Sequence, residues 1–92
     1  MFTGIIQDLG TIKNKDMGLY QISTNLDLSN CKEGSSISCN GVCLTAKNIT
    51  QSNNKSFSFD VNIGEDTLKR TKLANSILKN ENINLEKSLQ IG

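Results

Sequence analysis

Apolar and polar residues alternate along much of this chain with a period of two. Residues 56–63 show the pattern most cleanly, since every second side chain is apolar. This period is typical of a β-strand that is buried on one face. Shorter stretches of the same kind predict strands at residues 5–16, 19–24, 35–39 and 43–50. Alternation of Ile83, Leu85 and Leu89 with polar residues predicts a sixth strand.

Turn signals separate these predicted strands. Asn40-Gly41 is the strongest, because both residues tolerate the positive φ that a type I′ hairpin turn requires. Met17-Gly18 and residues 51–55 predict two further turns. Residues 25–33 are polar and predict a loop, with Leu26 and Leu28 as its buried anchors.

The period of two is lost at Gly64. Residues 67–80 are good helix formers, and Asp66 is placed to cap a helix through its side-chain oxygen. One helix and two short helices broken near Thr71-Lys72 are both compatible with the approximate apolar stripe. Short antiparallel strands with tight turns and one helical interruption predict a small closed barrel.

Ninety-two residues predict one small domain, residues 1–92. Ten basic and nine acidic residues give a net charge of +1 without any block of one sign. This balance disfavours nucleic acid and anionic membranes as partners. An OB-fold that binds single strands would need a basic groove and stacking aromatics. The chain has only four dispersed aromatic residues, at positions 2, 20, 57 and 59.

Cys31, Cys39 and Cys43 are an odd number of cysteines, and no secretion signal precedes them. This combination predicts free thiols in a reducing compartment, hence a cytoplasmic protein. The absence of histidine and of a C-x-x-C motif argues against a metal site. For Cys43 two interpretations stay open: a small buried apolar residue or a reactive thiol.

Four sequence blocks occur in order along the chain: Met1-Phe2-Thr3-Gly4-Ile5-Ile6, a block that starts at Gly34, includes Ser36-Ile37 and ends in Asn40-Gly41-Val42-Cys43-Leu44-Thr45, Asp66-Thr67-Leu68 with Thr71, and Ile83-Asn84-Leu85-Glu86. Each block is short, but their order and spacing are specific. Together they resemble the N-terminal half of the alpha-chain riboflavin synthase family.

The resemblance implies an all-β fold: a six-stranded antiparallel Greek-key barrel with one or two short helices between the last two strands. It implies binding of 6,7-dimethyl-8-ribityllumazine and riboflavin, without a metal or organic cofactor. Enzymes of this family carry two such barrels in tandem and form homotrimers. They dismutate two lumazines by four-carbon transfer, giving riboflavin and a diaminopyrimidine.

Each active site of the family lies between the N-terminal barrel of one subunit and the C-terminal barrel of its neighbour. A chain with one barrel is therefore expected to be part of a longer enzyme, or a stand-alone barrel that forms a homodimer. By itself it is expected to be inactive or weakly active. The alternative is a non-catalytic module that only carries a lumazine or flavin.

The resemblance also implies site residues, carried over by motif. Cys43 and Phe2 match positions of the family's active site, with Phe2 otherwise a core residue. Ser36 and Thr45 match positions that face the ribityl chain, or are ordinary strand hydroxyls. The remaining implied ligand-binding residues are Asn62, Ile63 and Gly64, through their backbone, and Asp66 and Thr67. Asp66 stands where the family usually has Glu, so its reach is one methylene shorter.

Overall fold

Seven antiparallel strands and two short helices make up residues 7–88, the part of the chain that the computed structural model describes. The strands are β1 (Asp8–Asp16), β2 (Leu19–Thr24), β3 (Ser36–Cys39), β4 (Val42–Thr45), β5 (Lys47–Gln51), β6 (Phe57–Asn62) and β7 (Ile83–Lys87). Helices α1 (Glu65–Arg70) and α2 (Leu73–Leu78) lie between β6 and β7. The hydrogen-bonded strand order is β4-β3-β7-β1-β2-β6-β5.

The predicted alternation in residues 56–63 is confirmed. Phe57, Phe59, Val61 and Ile63 are all buried, at 7%, 0%, 0% and 2% exposure. The inward residues of the other strands complete a single core, and the loop anchors Leu26 and Leu28 are buried in it. Burial of this apolar face is the main stabilisation available to so small a domain.

The prediction of six strands is wrong in one respect: residues 43–50 form two strands, β4 and β5. The division falls at Ala46, which is fully buried. Its amide donates to Ser35 O at 2.8 Å and its carbonyl accepts from the Gly34 amide at 2.9 Å. Up to Ala46 the chain pairs with β3, and from Lys47 it pairs with β6. Since β4 and β5 end the strand order, the sheet curls until its two edges meet at Ala46.

The residues that follow this junction have an irregular backbone, and we call residues 46–49 the corner. Asn48 has a positive φ of 52°, and the register with β6 shifts between Lys47 and Thr50. The Glu33 carboxylate accepts hydrogen bonds from the amides of Asn48 at 2.8 Å and Ile49 at 2.9 Å. Side-chain oxygens thus replace the ladder partners that the bend removes.

The predicted hairpin turn at Asn40-Gly41 is confirmed, with φ of 50° and 82° at its two central residues. Asn40 also ties the turn to β7, because it exchanges two hydrogen bonds with Asn84. The Asn40 amide donates to Asn84 O at 2.8 Å, and the Asn84 amide donates to Asn40 Oδ1 at 2.7 Å. The turn is therefore held from two sides.

Of the two helical alternatives, the structure has two short helices. Thr71 separates them: its hydroxyl donates to Thr67 O at 2.7 Å and accepts from the Leu73 amide at 3.3 Å. The capping role predicted for Asp66 is wrong, because the N-cap of α1 is Gly64 and no side chain caps it. Asp66 instead lies in the first turn, where a carboxylate is favourable next to the helix dipole.

Neither described helix is long and apolar enough to cross a membrane. Four predicted features lie outside the described residues: Phe2, Ile5 and Ile6 before β1, and Leu89 after β7.

Gly10 in β1 is the basis of a stability prediction. A Cβ at this position would lie 2.7 Å from Leu85 Cδ1 and 3.0 Å from Ser23 O. Gly10→Ala should therefore lower the free energy of unfolding by about 1–3 kcal/mol through overpacking, as measured by urea denaturation. In a Leu85→Val background, which removes the closest atom, the same substitution should cost less. Equal costs in the two backgrounds would refute steric conflict as the cause.

Candidate functional site

Four polar side chains share the outer face of β3 and β4. In the register of this pair Ser36 lies opposite Thr45 and Ser38 lies opposite Cys43. The residues between them, such as Ile37 and Leu44, point into the core and are buried. Directly opposite side chains of an antiparallel pair are in contact distance of each other. We call Ser36, Ser38, Cys43 and Thr45 the polar face.

The polar face continues onto the end of β6. The pair Lys47↔Asp60 opens the β5–β6 ladder, and β4 itself contacts β6. Extending that register by two residues sets Thr45 opposite Asn62, which is exposed. The structure therefore pairs Ser36 with Thr45 directly, whereas Asn62 is set beside them by this extension of the β5–β6 register.

Gly64, Asp66 and Thr67 follow Asn62 directly, at the start of α1. Gly64 is exposed with a φ of −73°, and a Cβ built on it meets no atom within 4 Å. Its backbone therefore does not require glycine, and the space beside it is open. Asp66 is exposed and Thr67 is half-buried. These residues extend the predicted site along one rim of the polar face.

Ile63 differs from the other predicted residues because its side chain belongs to the core. It is 2% exposed, and its amide donates to Gly18 O at 2.9 Å. The Gly64 carbonyl is also engaged, since it accepts from the Leu68 amide at 3.1 Å. Two backbone groups of this segment thus serve the fold. Phe2, the other predicted catalytic residue, lies outside the described residues.

The three cysteines have different surroundings. Cys39 is fully buried, and burial raises the pKa of its thiol to about 12. Burial also raises the pKa of the half-buried Cys31 thiol. Cys43 is exposed on the polar face, so its interpretation as a small buried apolar residue is wrong. That interpretation fits Cys39 instead, and Cys43 is the thiol open to chemistry.

Two residues of this region were missed by the sequence interpretation. Ser38 lies opposite Cys43 on one side and opposite Glu86 of β7 on the other. Glu86 is 7% exposed although it carries a carboxylate. A signal was present, since Glu86 closes the last sequence block and Ser38 follows Ser36 at strand spacing. The sequence did not show that these two residues lie near Cys43, because this follows from the order of strands β4, β3 and β7 in the sheet.

A cleft of about 800 Å³ lies beside α2 and the Asn40-Gly41 turn. Ser38 and Glu86 line it, whereas none of the eight predicted site residues within residues 7–88 does. The predicted residues of the described chain therefore lie on an open surface. A flat ligand on such a surface would be covered on one side only, so an enclosed site needs a second surface facing it.

Beside the polar face, a buried carboxylate is held by two side chains. Asp60 is 4% exposed and accepts from Asn48 Nδ2 at 3.0 Å and from Lys15 Nζ at 3.2 and 3.3 Å. The Asn48 hydrogen bond, helped by Lys15, holds the pKa of Asp60 below its usual range despite burial. Asp60 is therefore ionised at neutral pH.

A curled antiparallel sheet with two short helices before its last strand, and hydroxyl groups around an exposed thiol, defines a small β-domain with an open polar surface. Residues 3–88 match the model of the lumazine binding domain, so the chain belongs to that family. It is 41% identical to a riboflavin synthase of Buchnera aphidicola, over 100% of this chain and 43% of the relative. For riboflavin synthase of Brucella abortus the values are 38%, 100% and 47%, and for that of Bacillus subtilis 33%, 97% and 40%. The chain thus spans less than half the length of each of these relatives.

The thiol environments predict an order of alkylation by iodoacetamide in the native protein. Cys43 should react first, Cys31 more slowly, and Cys39 only as fast as the protein unfolds, because the buried thiol is neither accessible nor ionised. Peptide mass spectrometry at timed intervals measures the three rates. In denaturant the three rates should converge. Labelling of native Cys39 as fast as Cys43 would contradict the assignment.

Proposed function

We propose that this chain is the lumazine-binding domain of a riboflavin synthase, equivalent to the N-terminal half of such an enzyme. Its ligands are 6,7-dimethyl-8-ribityllumazine and riboflavin. The observation that carries the proposal is the row formed by Ser36, Thr45 and Asn62, with Cys43 and Gly64 beside it. Membership of the lumazine binding domain family supports the choice of ligand.

The chemistry of the ligand matches this surface. A ribityl chain presents several hydroxyls, and hydroxyl and amide side chains both donate and accept hydrogen bonds. Ser36 and Thr45 can exchange hydrogen bonds with hydroxyls of the ribityl chain, and Asp66 and Thr67 can do so with the hydroxyls at the end farthest from the ring. The open space at Gly64 admits the edge of a flat ring close to the backbone of residues 62–64.

We propose a closed Greek-key barrel of six strands as the full architecture. If β4 and β5 are counted as one strand bent at Ala46, each of the six strands has two neighbours. The order around the barrel is then β1, β2, β6, the bent strand, β3 and β7. The single residue between β4 and β5 supports this closure.

The reaction belongs to the longer protein. We propose that a second barrel covers the polar face, as in a homotrimer of tandem-barrel chains, and brings two lumazines face to face. Holding two reactants in reactive geometry supplies much of the rate enhancement. Four carbons then pass from one lumazine to the other, leaving riboflavin and a diaminopyrimidine. The exposed Cys43 thiol would assist addition at carbon 7 or the accompanying proton transfers, and Phe2 would flank the ring.

A non-catalytic lumazine- or flavin-carrying module is the second candidate, supported by the openness of the polar face when the chain is alone. In that case two copies would pair as a homodimer. Three free thiols among the described residues support a reducing compartment, and we propose the cytoplasm.

Ligand titration of two matched variants tests the binding surface. Thr45→Val removes the hydroxyl opposite Ser36 with little change of shape. It should weaken binding of 6,7-dimethyl-8-ribityllumazine about fivefold, the effect of one lost hydrogen bond. Thr50→Val removes an exposed hydroxyl of β5, bonded to Ser58 at 2.9 Å, and should leave affinity unchanged. Ligand fluorescence measures both, and equal affinities would refute the assigned surface.

Turnover by the purified chain separates binding from catalysis. The 92-residue chain should bind the lumazine yet form riboflavin at a small fraction of the rate of a full-length enzyme, because no second barrel supplies the other ring. The riboflavin synthase of Bacillus subtilis serves as the positive control, with riboflavin absorbance as readout. Rapid riboflavin formation by the isolated chain would show that it builds a complete site by itself.

A further inference from the structure

We propose that Asn48 and Asp60 are positioning residues that hold the corner to β6 and thereby orient Thr45 and Asn62 for the ligand. This inference rests on the proposed function, since it explains how the polar face of the lumazine-binding domain keeps its geometry. Neither residue is one of the four that define the polar face, and each acts through the strand that carries it.

The corner needs side-chain hydrogen bonds to hold it because its backbone pairing with β6 is incomplete. The β5–β6 ladder pairs Lys47 with Asp60, then shifts register and resumes only at Thr50↔Ser58. A bulge of this kind leaves backbone groups without ladder partners, so that contacts other than the ladder have to fix the position of the strand there. A slip by one residue would turn the Thr45 side chain from the outer face toward the core.

Asn48 joins the two sides of the corner. Its amide donates to Glu33 Oε2 at 2.8 Å, on the side of the chain that leads into β3. Its side-chain nitrogen donates to Asp60 Oδ2 at 3.0 Å, on β6. Asn48 makes both bonds in the observed register, with a positive φ of 52° that Asn tolerates better than most residues.

Asp60 is a strong anchor for this bond. Lys15 of β1 holds its carboxylate from the other side, and Lys47 of β5 adds a second positive charge nearby. Its cross-strand neighbour on β2 is Gln21, which is uncharged. A hydrogen bond to a charged acceptor is about twice as strong as one between neutral groups.

The position of the bond links it to ligand binding. Asn48 comes three residues after Thr45, and Asp60 comes two residues before Asn62 on the same strand face. The hydrogen bond of Thr50 with Ser58 also joins β5 to β6, but it lies farther from β4. Only the Asp60 side of its ion pair with Lys15 is buried, since the Lys15 side chain is 39% exposed. For a buried charged group of this kind, setting register is the best-attested role.

Two substitutions of Asn48 test the inference. Asn48→Gly keeps the positive φ and removes the side-chain bond, so lumazine affinity at pH 7 should fall about tenfold or more. Asn48→Asp sets two carboxyls against each other. The pKa of that pair should rise, and affinity should recover on going from about pH 7 to about pH 5, as a shared proton restores the bond. The wild-type protein should show no such recovery, because Asp60 is ionised throughout this pH range. The Thr50→Val control should show none either.

The pH experiment compares the lumazine affinity of the Asn48→Asp variant at two pH values. It therefore remains informative even if Asn48→Gly does not fold. Unchanged affinity in both variants would overturn the inference, as would an Asn48→Asp affinity that does not depend on pH. A ligand-free readout separates it from the proposed function: nuclear Overhauser contacts between Thr45 and Asn62 should weaken in both variants at pH 7. If the original chain fails to bind lumazine, the proposed function fails. Weakened contacts would then still support the positioning role of Asn48 and Asp60, and retained contacts would overturn it.

Discussion

One stretch of chain has to serve two opposite edges of the same sheet, and this constraint governs the rest of the fold. β4 pairs with β3 and β5 pairs with β6, yet only Ala46 separates them. The sheet must curl to satisfy both pairings, which encloses the apolar residues of β6 and directs the alternate residues outward. The Glu33 carboxylate and the positive φ of Asn48 stabilise the bend that results.

The same curl explains why chemistry-bearing groups are found outside the core. Because Ile37 and Leu44 point inward, Ser36, Ser38, Cys43 and Thr45 must point outward together. Cys39, one residue outside the Asn40–Thr45 hairpin motif, takes the inward position and becomes an inert core thiol. Alternation along two strands thus separates a structural cysteine from a reactive one only four residues away.

Local pattern predicted much of this molecule. The alternation of residues 56–63 and the Asn40-Gly41 turn are encoded by adjacent residues, and the structure has both. The helical segment allowed one helix or two, and only the structure decides for two. The split at Ala46 was not predicted. The apolar phase does shift after Ala46, from Leu44 and Ala46 to Ile49, but a short sequence pattern does not show which strands pair with each side of the split. The contact of Lys15 with Asp60 joins residues 45 positions apart, and Ser38 reaches Glu86 only through the strand order. The motifs name candidate site residues, whose roles stay predictions, but they do not name the neighbours of those residues in space.

The meeting of β4 and β5 at Ala46 also bears on how copies of this domain can share a chain. An open sheet offers unpaired amides and carbonyls at its two end strands, and such edges invite strand exchange and aggregation. Here the two end strands are consecutive in sequence and turned toward each other. Close to the junction at Ala46, each end strand therefore has the other beside it, which hinders an incoming strand from pairing there. Association between copies would then depend on side chains rather than on shared strands.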